Sequence, residues 1–276
     1  MQNSSLIGNI LKGFKKRLTK NKQSNTIFFQ IGWLRTKILK HQNNGTLRKI
    51  NIGNLQFYFR NPFEFLVTFQ EIFTEGIYNC TLSQDPYIID CGANIGISTM
   101  YFKYAYPGSR IISFEPDETN FEILKLNLET NNLQDIQIRK EAVWKEDTKL
   151  NFSNDANMAS KIEMLDAKNS NIVDAISLDK FIDRKVDFLK MDIEGAEYEV
   201  MKSIKEKLNL IENMFIEYHG RFEQINELLE ILEMIKKGGL KFYIKEATSV
   251  YDKPFLRTGT PNGYDIQLNI FCFRTN

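Results

Sequence analysis

Tyr87-Ile88-Ile89-Asp90-Cys91-Gly92-Ala93-Asn94-Ile95-Gly96 passes from a short apolar run through an acid into a turn with two glycines, and a helical pattern starts at Ile97. A strand that opens at once into a helix is the first unit of a β-α-β repeat. The helix stops at Pro107-Gly108, and Arg110 to Phe114 reads as the next strand, ending in Glu115-Pro116. Asp117 then caps a helix with Phe121, Leu124 and Leu128 on one face. Further strands are predicted over 136–143, 187–191 and 214–218. Helices follow the last two, one carrying Ala196, Val200 and Ile204, the other Ile225 to Ile235 before Gly238-Gly239. Two final strands, 240–245 and 266–273, are joined by a stretch with Pro254, Gly259, Pro261 and Gly263. That stretch is loop, so it does not supply the helical crossover of a parallel pair. The prediction is an α/β fold: a seven-strand, mostly parallel sheet with an antiparallel last strand, covered on both faces.

Upstream, residues 48–60 alternate around Gly53-Asn54 and predict a β-hairpin. Nearer the start, Leu6, Ile7, Ile10, Leu11, Phe14 and Leu18 recur at helical spacing among Lys12, Lys15, Lys16, Arg17 and Lys20. A helix packed on the body, or a partly disordered arm, is the expectation. Peripheral contact with an anionic membrane is the second reading. Residues 1–80 are accordingly taken as an N-terminal extension and 81–276 as the catalytic domain.

The composition narrows the function. Among 276 residues, 36 Lys+Arg face 35 Asp+Glu, and a net charge of +1 removes the electrostatic case for a nucleic-acid partner. No apolar run reaches the roughly 18 residues of a membrane span, and the start lacks a secretory leader. Three scattered cysteines, Cys80, Cys91 and Cys272, with only two histidines, build neither a disulfide frame nor a zinc site. A globular protein of the reducing cytoplasm is expected.

In an open α/β sheet, ligands bind beyond the carboxyl ends of the strands. Gly92 permits the tight turn there, and Gly96 permits close approach of a ligand. Glu115 ends the second strand nineteen residues after Gly96, placed to accept from both hydroxyls of a ribose. A dinucleotide needs Gly-x-Gly-x-x-Gly, and here Asn94 and the residues after Gly96 break it. Asp90 would repel a pyrophosphate but attract an ammonium. Adenosine with an amino-acid tail fits better, which is S-adenosylmethionine. A nicotinamide-dependent oxidoreductase and a cofactor-binding module without catalysis are the competing readings.

Four blocks in order carry a resemblance: Asp90-Cys-Gly-Ala-Asn-Ile-Gly96, Phe114-Glu115-Pro116, Ser177-Leu178-Asp179, and Leu189-Lys-Met-Asp-Ile-Glu-Gly-Ala-Glu197. Over roughly residues 75–220 the chain resembles the FkbM family of S-adenosylmethionine-dependent methyltransferases. The resemblance implies a class I (Rossmann-like) methyltransferase fold and O-methylation of a small molecule or a glycan, as in polysaccharide biosynthesis. It assigns Asp90, Gly92, Asn94 and Gly96 to the methionine end of the cofactor and Glu115 to its ribose. Ala142 and Val143 would line the adenine, with Glu141 a possible partner, and Tyr78 would close over the cofactor.

At the end of the fourth strand, Asp192 stands where a methyl acceptor must meet the sulfonium. Lys190 is two residues earlier, on the same strand face, so the two can pair. Glu197 reads as a cap in the first turn of the following helix. Glu217 and His219 share one face of the fifth strand. His219, with an ordinary pKa near ~6.5, is assigned to proton removal and Asp192 to orienting the acceptor. Asp192, Glu194, Glu217 and His219 together would also suit Mg²⁺, which is considered and not assigned.

Overall fold

The computed structural model describes residues 29–152, 171–258 and 263–275; the basic amphipathic stretch around residues 6–20 lies outside them. Helix α1 (Trp33–Lys40) leads into a hairpin of β1 (Arg48–Ile52) and β2 (Leu55–Phe59), turning at Gly53-Asn54 as expected. Asn61 caps α2 (Pro62–Phe69) by accepting from the Glu64 N–H, and a π-helical turn follows over Gln70–Glu75. The repeating unit then runs β3 (Tyr87–Cys91), α3 (Ile97–Ala105), β4 (Arg110–Phe114), α4 (Glu118–Thr130) and β5 (Ile136–Arg139). Asp117 caps α4 through the Asn120 N–H.

The stretch 136–143, expected to be one strand, is two. After β5 the chain crosses Lys140-Glu141, and β6 (Ala142–Trp144) leaves the main sheet. There it pairs in parallel with β8 (Asn171–Ser177), whose other edge takes β7 (Thr148–Phe152). The chain returns through β9 (Val186–Met191), α5 (Glu197–Ile204), β10 (Ile211–Gly220), α6 (Ile225–Lys237), β11 (Lys241–Glu246) and β12 (Ile266–Phe273).

The main sheet has seven strands in the order β11-β12-β10-β9-β3-β4-β5. Only β12 runs against the others, inserted between β10 and β11. This is the class I methyltransferase architecture, and strand order reverses between β3 and β9. No helix among the described residues is long and apolar enough to cross a membrane.

Strand alternation sends side chains to two cores. Ile89, Leu189, Met214 and Ile216 face one, under α5 and α6. Ile88, Phe188 and Phe215 face the other, shared with α3, α4 and the hairpin. Phe57, Phe59, Phe65, Phe69 and Phe73 interlock there, with Phe59 on Phe65 at 4.2 Å and Phe69 on Phe73 at 4.9 Å. The Asn127 side chain of α4 accepts from Tyr58 N at 2.6 Å and donates to Tyr58 O at 3.0 Å. Asn131 does the same for Gln56, at 2.8 and 2.7 Å.

Candidate active site

The turn after β3 is set by its own packing. Gly92 has φ +80°, and a Cβ there would lie 1.8 Å from the Asp192 carbonyl oxygen. Gly96 was expected to admit a ligand; a Cβ on it would instead meet the Leu124 side chain of α4 at 2.4 Å. Between them Asn94 takes a left-handed φ of 50° and donates its N–H to Glu115 Oε2 at 2.7 Å. Its side-chain amide donates to Glu64 of α2 at 2.8 Å, tying the extension to the turn.

Glu115 is buried, and its Oε1 accepts from the Asp117 N–H at 2.9 Å. Each carboxylate oxygen thus uses one lone pair and keeps another. Burial pushes its pKa up to about 7, against the pull of the two backbone donors.

Asp90 needs a correction. It is fully buried beneath the turn, and the partners that the fold gives it are internal. The Ser98 and Thr99 hydroxyls both donate to its Oδ2 at 2.7 Å, and the Lys190 ammonium stands 3.4 Å from Oδ1. Lys190, also buried, donates to the Gly92 carbonyl at 2.7 Å and lies 3.5 Å from Asp192 Oδ2. Burial draws its pKa down, but the Asp90 and Asp192 carboxylates outweigh that and hold it well above the ordinary lysine value. One ammonium therefore joins the turn of β3 to the end of β9.

His219 is the second correction. Its Nδ1 lies 3.3 Å from Glu197 Oε1, and its Nε2 lies 3.6 Å from Glu217 and 3.8 Å from Glu194. Burial pulls its pKa down, yet the Glu197 hydrogen bond and the Glu197, Glu194 and Asp192 charges push it up to about 10. A ring with that pKa holds its proton at neutral pH, which counts against the base role assigned to it. Glu217 moves the opposite way in function: burial, then the Asp192 charge, raise it to about 8 against His219 and Lys190. Asp192, Glu194 and His219 bring one donor atom each within 4.8 Å, a spacing open to a cation.

Tyr78 packs its ring in the aromatic core against Phe102 at 5.4 Å and Phe215 at 5.0 Å, and its hydroxyl feels the charges of Lys190, Asp192, Asp90 and Glu217. Ala142 and Val143 are buried at 1% and 2% exposure in β6, and Glu141 is engaged by Arg139. Glu197 caps its own helix entrance, accepting from Ile193 N and Gly195 N. Tyr264, in the loop before β12, was not singled out in the sequence. Its hydroxyl donates to the Glu194 carbonyl at 2.7 Å, and its ring lies 5.0 Å from His219.

Glu115, Glu217 and His219 all bind protons more tightly when folded. Each contributes stability that is full below its unfolded pKa and lost as pH rises through about 7, about 8 and about 10. The melting temperature should therefore fall between about pH 6 and about pH 9. A flat or rising profile by calorimetry contradicts this electrostatic picture.

A family model described as the Methyltransferase FkbM domain matches residues 90–242, more than half of the chain. Methyltransferase sdnD of Sordaria araneosa is 28% identical over 229 residues, 66% of this chain and 86% of that protein. The 31-O-demethyl-FK506 methyltransferase FkbM of Streptomyces tacrolimicus is 30% identical over 92 residues, 32% of each. Among solved structures, Methyltransferase FkbM from Methylobacillus flagellatus KT is 21% identical with a TM-score of 0.47. That match covers 69% of this chain and 44% of the solved one, so the chain spans less than half of it.

Proposed function

The chain belongs to the FkbM methyltransferase domain family, and from that premise we propose that it takes its methyl group from S-adenosylmethionine and places it on a hydroxyl of a sugar, glycan or small metabolite. Glu115 carries the cofactor half of this reading. Its carboxylate ends β4 beside the turn, with one lone pair left on each oxygen for the two ribose hydroxyls. The broken dinucleotide pattern and the family together leave the nicotinamide reading without support.

When bound, the cofactor supplies a methyl carbon activated by its sulfonium. The chain's own groups do the rest. Lys190 fixes the Gly92 carbonyl and the Asp192 carboxylate relative to one another. Asp192 orients the acceptor and leaves its reacting O–H to Glu217, and alignment alone can contribute about 7–11 kcal/mol in the best cases. Glu217, its pKa raised by burial to about 8, takes the proton when ionised, and the His219 cation beside it offsets the site's negative charge. Oxygen as the methylated atom is supported by the name of the Streptomyces relative, whose substrate is an O-demethyl compound. A cytoplasmic location belongs to the same reading, in line with three free cysteines.

Two measurements test the cofactor half. Ionised Glu115 accepts from both ribose hydroxyls, so affinity for S-adenosylhomocysteine should rise as pH passes through about 7. Glu115→Gln should weaken binding by roughly 1.5–3 kcal/mol at about pH 8 and abolish the rise. Equal affinity for both proteins by calorimetry removes Glu115 from the cofactor site.

A further inference from the structure

A row of side chains crosses the sheet beyond the residues assigned so far. Register sets Glu217 of β10 opposite Asn269 of β12, and Asn269 opposite Lys245 of β11. Directly opposed residues of antiparallel strands point to the same face. Met191 pairs with Ile216, so Asp192 falls beside Glu217 one step further on. The row of Asp192, Glu217, Asn269 and Lys245 thus lies on the face that carries Lys190, under the N-terminal extension. Glu71 of the π-helical turn lies within electrostatic reach of Lys245 and Asp192 in it. Burial and Glu75 raise the Glu71 carboxyl, Lys245 draws it down and Asp192 raises it again.

Asn269 is the member without an internal explanation. It is 4% exposed, and its Oδ1 has no hydrogen-bond partner among the described residues. A buried carbonyl left unpaired destabilises a fold, and a residue needed only for packing would be apolar, as its neighbour Ile270 is. The atom awaits a donor. In the row and the turn beside it stand the carboxylates of Asp192, Glu217 and Glu71, which accept when ionised, and the Lys245 ammonium, which donates. A ligand that satisfies all of them must both donate and accept at several adjacent atoms, as vicinal hydroxyls do.

We propose that Asn269, with Glu71 and Lys245, forms an acceptor subsite that binds a second hydroxyl of a sugar-like polyol, beside the hydroxyl that Asp192 and Glu217 address. This subsite rests on the methyl-transfer reading above. It draws on the extension as well as the sheet, so the π-helical turn takes part in choosing the acceptor.

The test uses the full chain loaded with S-adenosylhomocysteine and a set of methyl hexopyranosides, followed by saturation-transfer NMR. Wild type should bind at least one of them saturably, and Asn269→Leu should bind it about tenfold or more weakly. Affinity for S-adenosylhomocysteine should not change. The melting temperature should hold or rise, because the substitution removes an orphaned carbonyl. Glu71→Gln, on a half-buried turn, is the second variant and should weaken the same glycoside severalfold. Unchanged glycoside affinity in both variants overturns the subsite. So does a loaded wild type that takes no glycoside, or an Asn269→Leu protein with a lowered melting temperature. Failure to bind S-adenosylhomocysteine at all sinks the methyl-transfer reading, and the subsite with it.

Discussion

Lys190→Met is expected to destabilise the protein by about 3–5 kcal/mol, the usual consequence of removing one partner from a buried charge pair. Methionine keeps most of the stem volume, so packing is nearly preserved. What disappears is the cation paired with Asp90, whose charge would then be held, among the described residues, by two hydroxyls. The Gly92 carbonyl loses its donor at the same time. Adding Asp90→Asn to Lys190→Met should recover much of the loss, because the stranded charge goes with it. Urea unfolding measures both. A single variant within about 1 kcal/mol of wild type would mean that Asp90 is stabilised by something other than the ammonium.

Glu217→Gln should lower the methyl-transfer rate by about 10²- to 10⁴-fold, the range for a lost general base, while cofactor affinity stays the same. A base must be ionised to act, so the single-turnover rate of wild type should rise with pH through about 8. In Glu217→Gln that rise should vanish. His219→Gln should also slow the reaction, but for another reason. Without the cation, Glu217 loses a neighbour that favours its ionised form, and the rise should move to higher pH. If Glu217→Gln keeps the wild-type rate and profile, the proton goes to Asp192.

Much of this was legible in the sequence, and the misreadings have physical causes. The strands of the main sheet were found because apolar runs ended in acids and glycines at regular intervals. The Lys190–Asp192 pair followed from the two-residue period of a strand. The stretch 136–143 misled because Ile136, Ile138, Ala142 and Val143 keep an apolar pattern while the chain changes its strand partner at Lys140-Glu141. Helix α2 left a signal in Asn61-Pro62, a cap followed by proline, that the apolar density around it obscured. The charge on His219 had no local signature. It is imposed by Glu197, Glu194 and Asp192, from the end of β9 and the start of α5, which meet His219 only in the folded chain. Asp90 was read as facing a ligand for a similar reason: its hydroxyl partners sit a helical turn further on, within α3.

Asn127 of α4 and Asn131, the residue that caps its end, bind β2 from positions four residues apart, a helical rise of about 6 Å. Their targets, Gln56 and Tyr58, stand two apart on a strand, about 6.8 Å. These pitches agree closely enough for one helix to grip alternate peptide groups of one strand, as a rack meets a pinion. A slip of the hairpin by a single residue would turn the gripped groups away and carry Phe57 and Phe59 out of the aromatic core. The hairpin is therefore geared to the helix that follows β4, and it is not an interchangeable cassette. Exchanging it with that of a relative would require exchanging the matching face of α4 as well.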